Sequence, residues 1–227
     1  EHHKRELRQM EELDNTPRKK LVEWGYCLLD DMIRDYEAMD KPEHAKPVIL
    51  IAPSWQEGNI VDSCLDDILT GLSGKGYHVV VRPHPQHIRH KRAYMEALAE
   101  KFRSDPDVEI QLDFSSDSTV FGADVLISDW SSIAFEFAYT TLKPVLFINT
   151  PMKVMNPDYD KIAEVPVDIA VRNEIGRALD LDEIGLVPGA VGQLLAAKDD
   201  YRDAITRSRE QYVYNIGTSA EVGAQYI

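Results

Sequence analysis

The 227-residue chain holds only two cysteines, Cys27 and Cys64, and neither sits at a metal-ligand or redox-motif spacing. A disulfide framework is not expected, and a reducing compartment suits the chain. Cations are also scarce: Lys and Arg total 25 against 39 Asp and Glu, a formal net charge of −14. A chain this acidic offers no general surface for nucleic acid or anionic lipid. No apolar run approaches the roughly 18 residues that a membrane-spanning helix needs. A secretory signal pattern is missing as well, because the polar start Glu1-His2-His3-Lys4-Arg5 has no apolar stretch behind it. The chain does not begin with Met, so a piece of a longer protein or a trimmed tag is expected. These absences leave a cytoplasmic domain as the expectation.

What is present is a repeating strand–helix rhythm. Val48-Ile49-Leu50-Ile51-Ala52 is a continuous apolar run stopped by Pro53, the pattern of a strand covered on both faces. Ile60, Cys64, Leu65, Ile68, Leu69 and Leu72 then recur at helical spacing up to Gly74 and Gly76. Tyr77 to Val81 reads as a second strand, Val108 to Leu112 as a third, Asp124 to Ser128 as a fourth and Val145 to Ile148 as a fifth. Ile88, Met95, Leu98 and Phe102 mark a helix, and Ile133 to Leu142 a helix apolar nearly all round. Such alternation predicts right-handed βαβ units, hence an α/β fold with a Rossmann-like, doubly wound parallel sheet.

Residues 1–46 are read as an N-terminal helical segment and linker. Within it, Leu7, Met10 and Leu13 mark a surface or docking helix, and Leu28 to Met39 a second one. Residues 47–227 are read as the nucleotide-binding domain, closed by helices over Val191 to Ala197, Tyr201 to Tyr214 and Ser219 to Ile227. Val167 to Val171 is the expected last strand.

Ligands of doubly wound sheets sit beyond the carboxyl ends of the strands. The loops there are Ser54-Trp55-Gln56-Glu57-Gly58-Asn59, Arg82-Pro83-His84-Pro85-Gln86-His87, Asp113-Phe114-Ser115-Ser116-Asp117, Asp129-Trp130-Ser131-Ser132 and Asn149-Thr150-Pro151. All are polar. Ser131 and Ser132 lead straight into a helix, whose first N–H groups and dipole favour an anion such as phosphate. One serine would serve as an ordinary N-cap; the second calls for another use. Prolines on both sides hold His84, so its imidazole is suited to donate to a phosphate. The alternative for His84 is a local capping role. From Arg82 to Arg103, six Lys and Arg stand against two Glu, a cationic segment in an acidic protein. His84, His87 and His90 recur at intervals of three, but they diverge around a helix, so no metal site is expected. His87, Arg89, His90, Lys91 and Arg92 read as a solvated helix face. Glu136, inside the apolar helix, needs partners, and ribose hydroxyls or protein groups would supply them. Asp129 is read chiefly as orienting its loop by accepting from backbone N–H groups.

These motifs resemble one family. Ile49 to Trp55 (ILIAPSW), Val81 to Pro85 (VRPHP), Ala123 to Glu136 (ADVLISDWSSIAFE) and Lys143 to Phe147 (KPVLF) are similar to the CDP-glycerol glycerophosphotransferases, the teichoic-acid-type polymerases, from about Gly25 onward. The resemblance implies the C-terminal, nucleotide-binding half of a GT-B architecture, acting with an N-terminal half not found here. It implies a CDP-alditol donor, a polyol-phosphate or glycan acceptor, no cofactor and no metal. In the full-length protein it implies a place at the inner face of the membrane. The catalytic candidate is His84, and the substrate-binding candidates are Ser54, Trp55, Arg82, Pro85, Ser116, Asp129, Ser131, Ser132 and Glu136. Gln56 and Trp130 depart from the family's usual basic residue and Tyr. Two other readings are a GT-B glycosyltransferase using a nucleotide-sugar, and a non-catalytic nucleotide-binding module.

Overall fold

The computed structural model describes residues 1–41, 44–112, 118–154, 156 and 158–227. Helices α1 (His2–Leu13) and α2 (Cys27–Ala38) precede the first strand, β1 (Val48–Ile51). The helical pattern after β1 is broken at Cys64 into α3 (Ile60–Ser63) and α4 (Leu65–Leu72), and leads to β2 (His78–Val81). Next come α5 (Pro85–His90), α6 (Arg92–Phe102), β3 (Val108–Ile110) and α7 (Ser118–Gly122). Strand β4 (Val125–Ser128), α8 (Ile133–Thr141) and β5 (Val145–Asn149) form the next unit. The chain continues through α9 (Val167–Ala170), α10 (Arg172–Ile175) and β6 (Gly176–Asp180), and ends with α11 (Val187–Ala196), α12 (Lys198–Tyr212) and α13 (Ser219–Tyr226).

Among the described residues the six strands are all parallel, in the order β3-β2-β1-β4-β5-β6. This is the doubly wound order, with its topological switch point between β1 and β4. Side chains alternate across the sheet, so each strand feeds two cores. Ile49, Ile51, Val79, Val81, Val125, Ile127, Leu146 and Ile148 pack on one face with residues of α3, α4, α6 and α11. Val48, Leu50, Val80, Leu126, Val145 and Phe147 pack on the other with residues of α2, α8 and α12. Burial on both faces explains why the central strands are apolar runs rather than alternating ones.

The expected strand over Val167 to Val171 is corrected to a helical turn: Ala170 N–H bonds Pro166 O at 3.0 Å and Val171 N–H bonds Val167 O at 3.0 Å. The sixth strand is Gly176–Asp180, paired with β5 from Val145↔Gly176 to Asn149↔Asp180. Glycine is required at its start, because a Cβ on Gly176 would lie 1.8 Å from the Val145 carbonyl oxygen. At the other end of the chain, Arg5 makes a two-point ion pair with Glu164 at 2.6 and 2.8 Å, seating α1. The Asp30 carboxylate accepts from Gly217 and Ser219 N–H groups at 2.8 and 3.0 Å, and Ser219 Oγ accepts from Tyr26 N–H at 3.0 Å. This junction fixes Tyr26 beside α8.

Candidate functional site

Register places the candidate residues together. Val81, Ile51, Ile127 and Leu146 form one row across the sheet. Three residues further along each strand, the chain reaches His84, Ser54, Trp130 and Asn149. One edge therefore gathers loops that lie far apart in sequence.

Asp129 ties them. It is 2 % exposed; Oδ1 accepts from Ser54 N–H at 2.7 Å, and Oδ2 from Ile60 N–H at 3.2 Å and Thr150 Oγ1 at 3.4 Å. Its carboxylate thus joins the loops after β1, β4 and β5, holding neighbouring loops where the sequence reading had it orient its own. Ser128 Oγ donates to Ala52 O at 2.7 Å, and Trp130 Nε1 donates to Thr150 O at 2.9 Å. Gln56 bridges the same loops, donating to Pro151 O at 2.6 Å. Ser54 is buried and its hydroxyl has no partner among the described residues, a donor left over at the site.

His84 is the N-cap of α5, with Pro85 at the first turn, and its Nδ1 accepts from Gln86 N–H at 3.2 Å. The local capping role is therefore real, and it leaves Nε2 as the protonated nitrogen. Burial, helped by the Lys153 ammonium, holds the imidazole below the usual histidine value, so it is neutral at pH 7. The exposed Trp55 ring lies 6.1 Å from the His84 ring. Arg82 N–H continues the sheet ladder to Ile51 O at 2.9 Å.

Helix α8 opens with Ser132 at the N-cap position, yet no side-chain cap bond forms. The first helical bonds run from Ala134 to Ser131 O and from Phe135 and Glu136 to Ser132 O. The N–H groups ahead of them stand outside the ladder, beside two hydroxyls not used for capping. Ser132 and Glu136 line a cavity of about 640 Å³ walled by Trp24, Tyr26, Phe135, Tyr139 and Tyr212. Glu136 Oε1 accepts from Tyr26 Oη at 2.7 Å, so its partner in this structure is a protein group. Burial, with this bond, pushes the Tyr26 phenol up to about 12.

His87 is corrected from a solvated face to the interior: it is 3 % exposed, and Asn59 Nδ2 meets its Nε2 at 2.9 Å. His90, one helical turn on, is exposed. Ser116 lies outside the described residues. Two residues, Lys153 and Arg172, escaped the sequence reading, and Asn59 entered it only as part of a polar loop. Lys153, on the loop after β5, acts electrostatically on His84. Asn59 caps α3 through Val61 N–H at 2.7 Å while holding His87. Arg172 is 6 % exposed, with its guanidinium 4.3 Å from the Trp130 ring centre and 4.4 Å from that of Phe147. Its Nε and Nη2 have no partner among the described residues, and burial lowers it to about 10, against the opposing pull of Asp129 and then Asp168. A cation–π sandwich offsets part of that desolvation.

A doubly wound sheet with polar loops and an open helix start at its switch point defines a Rossmann-like domain of GT-B type. Solved structures carry the same fold. The wall teichoic acid polymerase TagF, in a variant soaked with CDPG, is 18% identical over 90% of this chain and 49% of its own, with a TM-score of 0.53. MurG of Acinetobacter baumannii is 14% identical over 93% of this chain and 57% of its own, with a TM-score of 0.52. The calicheamicin glycosyltransferase is 16% identical over 83% and 44%, with a TM-score of 0.54. The chain spans about half the length of the teichoic acid polymerase. No curated protein sequence matches it. Its sequence does match the family described as CDP-glycerol:poly(glycerophosphate) glycerophosphotransferase over residues 8–158, and the chain belongs to that family.

Proposed function

We propose that this chain is the donor-binding half of a transferase that takes a CDP-alditol, CDP-glycerol-like, and passes its polyol phosphate to an acceptor hydroxyl during cell-surface polymer synthesis. The observation that carries the reading is the start of α8, where Ser131 and Ser132 leave their hydroxyls and the helix N–H groups to a ligand. The diphosphate lies there, with His84 Nε2–H and the Lys153 ammonium as further donors. Ser54 Oγ and Trp55 belong to the same wall. The cytidine takes the aromatic cavity, where its ribose hydroxyls compete with Tyr26 for Glu136.

The acceptor oxygen attacks the phosphorus that carries glycerol; the new P–O bond forms as the P–O bond to CMP breaks. The acceptor proton passes to a base, and CMP leaves with the electron pair. Such phosphoryl transfer depends on positioning and charge stabilisation rather than covalent chemistry by the protein. The Lys153 ammonium and the helix dipole supply the charge term, and the neutral His84 donates a hydrogen bond through Nε2–H. The acceptor groove and the base are assigned to the other half of the enzyme, across the GT-B cleft.

A thermal-shift panel of CDP, UDP, GDP, ADP and CDP-glycerol on this chain tests the reading. A ligand at a hundred times its Kd stabilises by about 2.7 kcal/mol, and the cytidine compounds are expected to lead. Selective response to a UDP-sugar would instead favour sugar transfer, and no response to any nucleotide would end the nucleotide reading. The chain alone should release little CMP from CDP-glycerol, and adding an N-terminal half should restore release.

A further inference from the structure

The edge opposite the candidate site also holds a cavity, of about 800 Å³, that the donor reading leaves unused. It lies at the starts of β1, β4 and β5, where Pro47, Asp124 and Lys143 lead into the strands, between α2, the end of α8 and α12. The strands are parallel, and one of four residues spans about 13 Å, so this cavity and His84 are at opposite ends of the sheet.

Its charge reverses that of the protein. Lys46, Lys143, Lys198, Arg202 and Arg209 line it, together with Lys41 and His44; among the described residues its only acids are Glu37 and Asp124. Nearby carboxylates are already committed: Asp107 to Lys46, Asp124 to Lys143 at 3.2 Å, and Asp199 to Arg202 at 3.0 Å. Lys198 has no ion-pair partner among the described residues. Lys198, Arg202 and Arg209 project from one side of α12, since positions i, i+4 and i+11 fall within about 40° at 3.6 residues per turn.

Two donors on the walls are also unmatched among the described residues. Arg209 Nη1 donates to Tyr139 O at 2.7 Å, but its buried Nε has no acceptor. Thr140 is 3 % exposed and its Oγ1 has no partner. Buried donors without acceptors are rare in folded proteins, and an anion would satisfy both while balancing the cations. The rest of the lining is largely apolar: the Tyr36 and Phe121 rings, tilted at 58°, stand with centres 5.8 Å apart near Ile33 and Met39, and Lys41 Nζ lies 4.1 Å from the Tyr36 ring centre. The volume is in the range of small-molecule sites.

We infer that this edge carries a second anion site, for a small organic phosphate. The phosphate meets Lys198, Arg202, Arg209 and Thr140, and an apolar or aromatic body packs on Tyr36 and Phe121. This site is independent of the donor site and of what the donor is.

Isothermal titration of the 227-residue chain with phenyl phosphate, inorganic phosphate and phenol tests it. Phenyl phosphate should bind, inorganic phosphate more weakly, and phenol not at all. Combined Lys198→Ala and Arg202→Ala should weaken phenyl phosphate at least about tenfold, the loss of charge-assisted bonds. Thr140→Val, which keeps the side chain's shape, should weaken it severalfold without altering the melting temperature. Combined Ser131→Ala and Ser132→Ala should leave it unchanged. Binding that follows the two serines and ignores Lys198, Arg202 and Thr140 would place the ligand at the other edge and overturn the inference. So would the absence of binding at millimolar phenyl phosphate.

Discussion

Asp129 offers the sharpest test of how the candidate site is held. Its buried carboxylate accepts from Ser54 and Ile60 N–H groups at 2.7 and 3.2 Å, with a longer contact to Thr150 Oγ1 at 3.4 Å. Bonds to a charged acceptor contribute about 1.5–3 kcal/mol each, and removing the acceptor strands buried N–H groups. Asp129→Ala should therefore destabilise by about 3–5 kcal/mol, a large share of the 5–15 kcal/mol typical of a domain. Asp129→Asn keeps one acceptor oxygen and should cost about 1–3 kcal/mol. Arg172 makes the test stricter. Its buried Nε and Nη2 have no hydrogen-bond partner among the described residues, and the charge that draws it first is that of Asp129. Neutralising Asp129 leaves that buried cation poorer, so Asp129→Asn with Arg172→Met should cost less than the sum of the single changes, by about 1 kcal/mol. Urea unfolding with unchanged m-values reads the four variants against the parent protein. An Asp129→Ala cost below about 1 kcal/mol would refute the account of Asp129 as the tie between loops. A strictly additive cycle would refute the coupling to Arg172.

The other expectations concern the ligand and pH. His84→Asn keeps an N-cap acceptor for Gln86 N–H but removes Nε2, so it should leave stability nearly intact and weaken CDP binding by about 10- to 150-fold, whereas His90→Asn should not; calorimetry showing equal effects would remove His84 from the site. Combined Ser131→Ala and Ser132→Ala should lower affinity for CDP but not for cytidine, and an equal loss for the nucleoside would point to damage at the helix start instead. Burial, followed by Lys91, depresses His87, so its unfolded form takes up the proton first. Its contribution to stability is complete above the unfolded value near 6.5 and is lost as pH falls through the lower folded value. His87→Gln should accordingly flatten the fall in melting temperature as pH drops below about 6.5, and an unaltered slope would contradict this.

Much of the architecture was legible because the inner strands are buried on both faces. Val48–Ile51, Val125–Ser128 and Val145–Asn149 appear as apolar blocks with turn residues after them, and their spacing admits little but a doubly wound sheet. At the sheet's edge that signal fades. Gly176–Asp180 carries a glycine, an arginine and an aspartate, and its glycine is explained only by the Val145 carbonyl against it. Val167 and Ile169 have β-forming side chains, yet their segment closes into a turn after Pro166. The site divides in the same way. The His84 and Ser131-Ser132 loops were readable because prolines, serines and a helix start are local features, written in consecutive residues. Lys153, Arg172 and the buried face of His87 were not, since nothing local distinguishes a charged side chain that folds inward from one left in water. Asp129 takes its partners from Ser54, Ile60 and Thr150, which lie 75, 69 and 21 residues away. Periodicity and turn chemistry act over a few residues and so can be read along the chain; hydrogen bonds between strand ends depend on register and strand order, which exist only once the sheet has closed.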